Sequence, residues 1–154
     1  MKKSIRRPYW LILAVIFIAC WAVSRYLFQL ALVQGASMEP AYRSGQLVLV
    51  DKTRGELRRG DVVLFYSAEL DTTLIKRIAA VPGDRVVIMD GRLVVNGAAV
   101  PEYGSISYAG EAQSEITVPE GCYFLLGDNT EESKDSRYPY IGVVNEKDIL
   151  GRVV

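Results

Sequence analysis

A serine and a lysine are the candidate catalytic residues of this chain, because its sequence contains no histidine. A serine hydroxyl becomes a nucleophile when a neighbouring base takes its proton, and histidine is the usual base. Its absence excludes a Ser–His–Asp triad and any zinc site with histidine ligands. Ser37, in the tetrapeptide Ser-Met-Glu-Pro, is the candidate nucleophile, and Lys76 is the candidate base. Neither a metal nor a cofactor is predicted.

Ser37–Pro40 taken alone is more typical of a simple turn, and it is the sequence around Lys76 that favours catalysis. In an extended segment, Lys76 shares a face with Leu74 and Ile78, which predicts that its amine is buried. Burial disfavours the ammonium form, and lowering its pKa from about 10.4 to about 8 takes roughly 3 kcal/mol. The alternative is a solvent-facing lysine that protects an edge strand from aggregation.

A polar loop near the carboxyl end is the third candidate element. Gly127-Asp128-Asn129 is followed by the segment Ser133–Arg137. We expect Ser133 to hydrogen-bond the lysine and orient it, and Asp135 and Arg137 to form an ion pair that holds the loop beside the site. A solvated turn is the alternative interpretation.

An apolar segment near the amino end predicts a membrane anchor. Fifteen uncharged residues, 9–23, follow Pro8, and the apolar pattern resumes after Arg25. We assign residues 9–28 to the transmembrane span, which the pattern allows to extend to residue 33. Four cations in residues 1–8 and the absence of acids before Glu39 predict a cytoplasmic tail and an extracytoplasmic domain, residues 34–154. A cleaved secretory signal and a lipoprotein acylation box at Phe17–Cys20 are the alternatives.

The rest of the chain has the pattern of a mostly β domain. Short runs of β-branched and aromatic residues alternate with Gly, Pro, Asp and Asn, and Asp90-Gly91 and Asn96-Gly97 predict hairpin turns. Cys20 lies inside the predicted span and Cys122 in the predicted outer domain, so no disulfide between them is expected. The net charge of zero gives no reason to expect a nucleic acid partner. A loop is predicted at Gly104–Gln113. The predicted strands are Gln46–Asp51, Asp61–Tyr66, Thr72–Ala80, Arg85–Met89, Arg92–Val95, Gly121–Leu126 and Asp148–Val153.

Four motifs, in order behind the anchor, resemble the boxes of the type I signal peptidases, the membrane-bound serine–lysine peptidases that remove signal peptides from exported preproteins. The resemblance covers nearly the whole chain. It implies a signal-peptidase-like β domain behind a single transmembrane helix at the cytoplasmic membrane. The motifs are Ser37–Pro40, Arg59–Val63, Lys76–Ile78 with Pro82–Asp84, and Gly127–Asn129 with Ser133, Asp135, Ser136 and Arg137.

The same resemblance implies residue roles. Ser37 is the nucleophile and Lys76 the general base, Ser133 orients the lysine, and Asp135 and Arg137 support the loop. The Ser37 backbone N–H holds the oxyanion, while Gly35 replaces a serine that serves as second donor in some members. Shallow pockets for small substrate side chains are assigned to Met38, Pro40, Leu74 and Ile75. The implied partners are preprotein signal peptides, the lipid bilayer, and secretion or pilus-assembly proteins.

The chain also departs from the family pattern. Ala41, Ala80 and Thr130 stand where threonine, glycine and arginine are usual, although no catalytic group is lost. The short segment between Asp84 and Gly127 resembles the compact Gram-positive type. These departures suggest a divergent member, devoted for instance to pilins. A non-catalytic or narrowly specific assembly partner in pilus biogenesis is the alternative function.

Overall fold

The computed structural model describes residues 9–53 and 55–154, so the predicted tail, residues 1–8, lies outside the described residues. Within these ranges the chain forms one α-helix, eleven strands and three short 3-10 turns. The helix and strands are α1 (Tyr9–Leu27), β1 (Phe28–Leu32), β2 (Leu47–Asp51), β3 (Val62–Ser67), β4 (Thr72–Ala80), β5 (Arg85–Met89), β6 (Arg92–Val95), β7 (Ala98–Ala99), β8 (Ile116–Thr117), β9 (Cys122–Leu126), β10 (Val144–Asn145) and β11 (Ile149–Val153).

Helix α1 buries none of its 19 residues against the domain. At 1.5 Å per residue it is about 28 Å long, close to the thickness of a bilayer's hydrocarbon core. Among the described residues it is the one helix long and apolar enough to cross a membrane. The helix ends at Leu27, and the extension to residue 33 that the sequence allowed is wrong, because residues 28–32 form β1. There Phe28 pairs with Asp51 and Leu32 with Leu47, so β2 supplies the backbone partners that end the helix.

A seven-stranded antiparallel sheet carries the candidate site. Its strand order is β1-β2-β11-β3-β4-β9-β10. Along β4, the pairing with β3 runs from Thr72 to Arg77, whereas the pairing with β9 starts only at Arg77. The first half of β4 therefore has a free edge on the β9 side, next to the position of Lys76.

A second, four-stranded sheet of order β7-β6-β5-β8 covers the other end of the domain. Both hairpin turns predicted from the sequence are confirmed. Asp90 and Gly91 have φ angles of 49° and 69°, and Asn96 and Gly97 have 53° and 81°. Positive φ at both central residues matches the twist of a two-residue hairpin, which favours Asp-Gly and Asn-Gly pairs.

Three buried apolar clusters form the core, and one of them joins the two sheets. This one lies between the four-stranded sheet and strands β4 and β9, and Phe124 and Leu126 are among its largest members. A second contains Met38 with Val50 and Ile75, directly beneath the candidate nucleophile. A third packs Phe65, Ile78 and Leu125 on the remaining face. Both faces of β4 are therefore covered.

The mostly β architecture predicted from the sequence is confirmed. Each of the seven predicted strands is present with ends shifted by at most one residue, and the predicted loop Gly104–Gln113 contains no strand. The short strands β7, β8 and β10 and the whole of β1 were not predicted. Strands β7, β8 and β10 contain only two residues each, which is too short for a periodic signal in the sequence. Strand β1 continues the apolar run of the helix, so the sequence shows no boundary between them.

We predict that Gly151→Ala destabilises the domain by about 1–3 kcal/mol, the usual range for overpacking. An added Cβ would collide with the Asp51 carbonyl oxygen and lie 2.7 Å from Val50 Cγ1, where β11 pairs with β2. The unfolding midpoint of the full chain in detergent measures the effect. Gly55→Ala is the matched control, because no atom lies within 4 Å of its added Cβ. Equal midpoints for the two variants would contradict this account of the β2–β11 contact.

Candidate active site

The turn after β1 carries Ser37, and its backbone is held in place by contacts on two sides. Met38, with 1% of its surface exposed, fixes the turn in the core beneath it. Gly35 has a φ of 79°, a left-handed conformation that favours glycine, at the entry to the turn. On the other side, the Asn129 N–H donates to the Ser37 carbonyl oxygen at 3.0 Å. The backbone of Ser37 is thus held both by the core and by the carboxyl-terminal loop.

Lys76 lies in the middle of β4, opposite Val63 of β3. Only 2% of its surface is exposed. Its ammonium nitrogen, Nζ, lies 2.8 Å from Ser37 Oγ and 2.8 Å from the Ile75 carbonyl oxygen. The structure therefore brings together the two residues that the sequence singled out, and buries the lysine as its position in the strand predicted.

Burial lowers the pKa of Lys76 from its ordinary value of 10.5 to about 8. Desolvation is the main cause, since a buried ammonium loses its hydration. The carboxylates of Asp135 and Asp128 oppose the shift, and the Arg137 guanidinium adds to it. A sizeable fraction of the amine is therefore neutral just above neutral pH, which is the form that accepts a proton.

The expected ion pair between Asp135 and Arg137 is present and fully buried. Arg137 Nε lies 2.8 Å from Asp135 Oδ1, and the exposed fractions of the two side chains are 1% and 0%. The same guanidinium donates to the backbone carbonyl oxygens of Thr130, Ser133 and Tyr108. Asp135 Oδ2 also accepts the Gly127 N–H at 3.1 Å. The pair thus shapes the loop into a closed turn against β9.

The hydrogen bond expected between Ser133 and Lys76 is absent from the structure. Ser133 is 2% exposed, and its hydroxyl has no hydrogen-bond partner among the described residues. The side chain instead lies against Gly127, where an added Cβ would collide with Ser133 Oγ and with the Ser37 carbonyl oxygen. The close approach of three backbone segments places Ser133 beside the site, but its hydroxyl remains unpaired there.

A second ion pair beside the lysine was not predicted. Arg77 donates to both carboxylate oxygens of Asp128, at 2.7 and 2.6 Å, and to the Gly60 carbonyl oxygen at 2.7 Å. Both residues belong to motifs noted in the sequence, yet no role was predicted for either of them. Their proximity follows from the pairing of Arg77 with Leu126 across β4 and β9, which only the register reveals.

The backbone N–H of Ser37 is free to stabilise an oxyanion. Among the described residues it has no hydrogen-bond acceptor, although the Ser37 carbonyl is engaged. The N–H of Gly35, two residues earlier, donates to Ser44 Oγ at 3.3 Å. Gly35 offers no side-chain donor.

A groove of about 340 Å³ opens beside the two candidate residues. One wall consists of residues 31–34 at the end of β1, and the other of residues 72–76 along the free half of β4. Met38, Leu74 and Ile75, three of the four predicted substrate contacts, line it. Pro40 does not, because it lies on the exposed side of the turn. Within residues 9–53 and 55–154, no group of three acidic, cysteine or histidine side chains is arranged to hold a metal ion.

Comparisons with known proteins agree on one family. The model of the family described as signal peptidase, peptidase S26, matches residues 6–154. Signal peptidase I of Bacillus licheniformis is 34% identical, over 84% of this chain and 76% of the relative. Signal peptidase IB of Staphylococcus aureus strain COL is also 34% identical, over 99% of this chain and 89% of the relative.

A solved structure shares the fold. The crystal structure of a signal peptidase I from Enterococcus faecalis V583 is 28% identical to this chain, with a TM-score of 0.53. The match covers 66% of this chain and 100% of the solved chain.

We predict that Lys76→Met changes the dependence of stability on pH. The pKa of Lys76 is lower in the folded state, at about 8, than its ordinary value of 10.5. The unfolded chain therefore binds more protons between these values, and wild-type stability gains about 3 kcal/mol as pH rises through this window. Lys76→Met lacks this gain, so its stability relative to wild type is highest near pH 7 and falls by about 3 kcal/mol towards pH 10.5.

Denaturant unfolding of the full chain in detergent, repeated between pH 7 and 10.5, measures how the free energy of unfolding changes with pH for wild type and for Lys76→Met. Lys147→Met is the control, because Lys147 is exposed and should leave the slope unchanged. Parallel curves for wild type and Lys76→Met would contradict a buried, pKa-shifted amine.

Proposed function

Because this chain belongs to the signal peptidase family, peptidase S26, and is a serine peptidase that removes signal peptides from preproteins, we propose that it does so with Ser37 as nucleophile and Lys76 as general base. The observation that carries this proposal is the 2.8 Å contact between Lys76 Nζ and Ser37 Oγ, made by a lysine with 2% of its surface exposed. The relatives come from Bacillus and Staphylococcus, and the chain is of their compact Gram-positive type.

Acylation begins with the neutral form of Lys76. The amine takes the hydroxyl proton while Ser37 Oγ attacks the scissile carbonyl carbon, and the carbonyl oxygen becomes an oxyanion. The free N–H of Ser37 donates to this oxyanion. The ammonium of Lys76 then gives its proton to the leaving amine, which becomes the amino terminus of the mature protein. An ester between Ser37 and the signal peptide remains.

Deacylation uses the same groups with water in place of the hydroxyl. Lys76, neutral again, takes a proton from a water molecule whose oxygen attacks the ester carbonyl. The second tetrahedral intermediate collapses, the proton returns to Ser37 Oγ, and the signal peptide leaves with a carboxylate. One base serves both steps because its pKa of about 8 lies near the working pH.

We assign the groove to the signal peptide segment before the cut. Ile78 exchanges backbone hydrogen bonds with Gly60 and Asp61 on the β3 side, so alternation along β4 turns the backbone groups of Thr73 and Ile75 towards the groove. The free edge of β1 forms the opposite wall. An extended peptide between these edges gains main-chain hydrogen bonds on both sides. Met38 and Ile75 fill the space near Ser37, which favours small substrate side chains next to the cut.

We place the domain on the outer face of the cytoplasmic membrane, with α1 as a single span and its amino terminus inside. The four cations in residues 1–8 support this orientation. The length of α1 supports the span, as do the apolar side chains that stay exposed on β1 and β2 next to the end of the helix. These side chains are Phe28, Leu30, Leu32, Leu47 and Leu49. An anchored enzyme and an anchored signal peptide share one membrane, which raises their effective concentration. The family assignment supports an enzyme over the non-catalytic assembly partner considered from the sequence.

We predict that Ser37→Ala and Lys76→Arg each reduce cleavage of a labelled preprotein by at least about a thousandfold. Alanine removes the attacking oxygen, and arginine keeps the positive charge but cannot deprotonate near neutral pH. The rate of cleavage by the full chain in detergent is the measurement, with Lys147→Arg as the control.

The pH dependence tests the base separately. For wild type, kcat/KM should rise with pH and level off above about 8, as Lys76 loses its proton. More than a tenth of wild-type activity in Lys76→Arg, or a rate flat between pH 6 and 9, would rule out Lys76 as the base.

A further inference from the structure

An open cleft of about 760 Å³ lies where α1 meets the sheet. Arg25 and Ser24 line it from the last turn of the helix, Lys52 lines it from the residue after β2, and Phe28, Leu30 and Leu49 form its apolar wall. Gln29 is the one residue that it shares with the groove beside Ser37, so neither proposed catalytic residue contributes to it.

The polar end of the cleft carries two cations without a counter-ion. Among the described residues, neither Arg25 nor Lys52 has a carboxylate within 4 Å, and the sequence contains no acid before Glu39. Lys52 Nζ donates to the Arg25 carbonyl oxygen at 3.4 Å, which leaves two of its three protons unused. The neighbouring Asp51 carboxylate accepts the Thr53 N–H at 2.8 Å instead. Two cations that line one cleft without a counter-ion favour an anion with several oxygen atoms.

The other end of the cleft is apolar and open to the surroundings. Leu30 and Leu49 face each other across the β1–β2 ladder, and 67% and 39% of their surfaces are exposed. Phe28 lies beside them with 39% exposed. A ligand that fills the whole cleft must therefore combine an anionic group with a hydrocarbon portion.

The location of the cleft relative to α1 identifies the source of such a ligand. Arg25 is the third residue from the carboxyl end of a helix about 28 Å long, so a membrane-spanning α1 places it at the depth of the outer headgroups. Phe28 and Leu30 continue directly from the helix and remain at the same boundary. Phosphate oxygens and acyl chains meet at this depth.

We propose that the cleft binds one anionic phospholipid of the outer leaflet. Its phosphate lies between the Arg25 guanidinium and the Lys52 ammonium, and its acyl chains pack along Phe28, Leu30 and Leu49. The proposal rests on the membrane-spanning position of α1, but it is independent of the chemistry of Ser37 and Lys76. A bound lipid fixes the end of β1 relative to the helix, and β1 is also a wall of the substrate groove.

Native mass spectrometry of the full chain in detergent, titrated with phosphatidylglycerol or phosphatidylcholine, tests the site. Phosphatidylglycerol should bind more tightly, and Lys52→Gln should weaken its binding about fivefold, the effect of one cation near an anionic headgroup. Lys52 is only partly buried and its contact with the Arg25 carbonyl is exposed, so a polar glutamine in its place preserves the fold. Lys52→Arg should bind as wild type does, and Lys147→Gln, an exposed lysine elsewhere, should have no effect.

Equal binding of the two lipids, or equal affinities for Lys52→Gln and Lys147→Gln, would overturn the proposal. Displacement of the lipid by inorganic phosphate at matched concentrations would show a phosphate site instead of a lipid site, and would overturn it as well. Cleavage of a soluble preprotein peptide in detergent separates this result from the proposed function. Lys52→Gln should retain that cleavage, and Ser37→Ala should lose cleavage but retain lipid binding.

Discussion

The burial of a single ammonium group is the constraint on which the site depends. A lysine in the centre of a sheet is unfavourable when charged, and a carboxylate beside it would restore the charged form. Two carboxylates do lie nearby, and each is already bound by an arginine. Arg137 binds Asp135 and Arg77 binds Asp128, each through at least two charge-assisted hydrogen bonds. The surroundings of Lys76 are thus polar and well ordered, yet its pKa stays low.

These ion pairs also explain why distant segments meet at the site. Each anchors a part of the carboxyl-terminal loop, and the same loop holds the nucleophile turn through the bond from Asn129 to the Ser37 carbonyl. Gly127 permits this approach because any side chain there would collide with Ser37 and Ser133. The distance between Ser37 Oγ and Lys76 Nζ is therefore set by backbone contacts among three segments, and does not depend on the flexible side chains alone.

The sequence predicted most of the sheet because the strands of the domain are bounded by glycine, proline or aspartate and contain β-branched residues. It also predicted the burial of Lys76, since alternation along β4 placed the amine between Leu74 and Ile78. The sequence did not predict β1. Leu30, Ala31 and Leu32 are all apolar, so the alternation of exposed and half-buried positions leaves no alternation of polar and apolar residues. The sequence also missed two features of the site: the ion pair of Arg77 with Asp128 and the unpaired hydroxyl of Ser133. Both depend on contacts between segments that are distant in the sequence, so no local pattern predicts them.

The direct passage from α1 into β1 has a mechanical consequence. No linker separates the two elements, so only the few residues of β1 separate the end of the anchor from one wall of the groove. With α1 spanning the membrane as proposed, the groove lies within a few residues of the hydrocarbon, at most roughly 3.3 Å for each residue of β1. For the anchored enzyme proposed above, this short distance limits which peptide bonds of a membrane-anchored substrate can reach Ser37, in addition to the selection made by the side chains beside the cut.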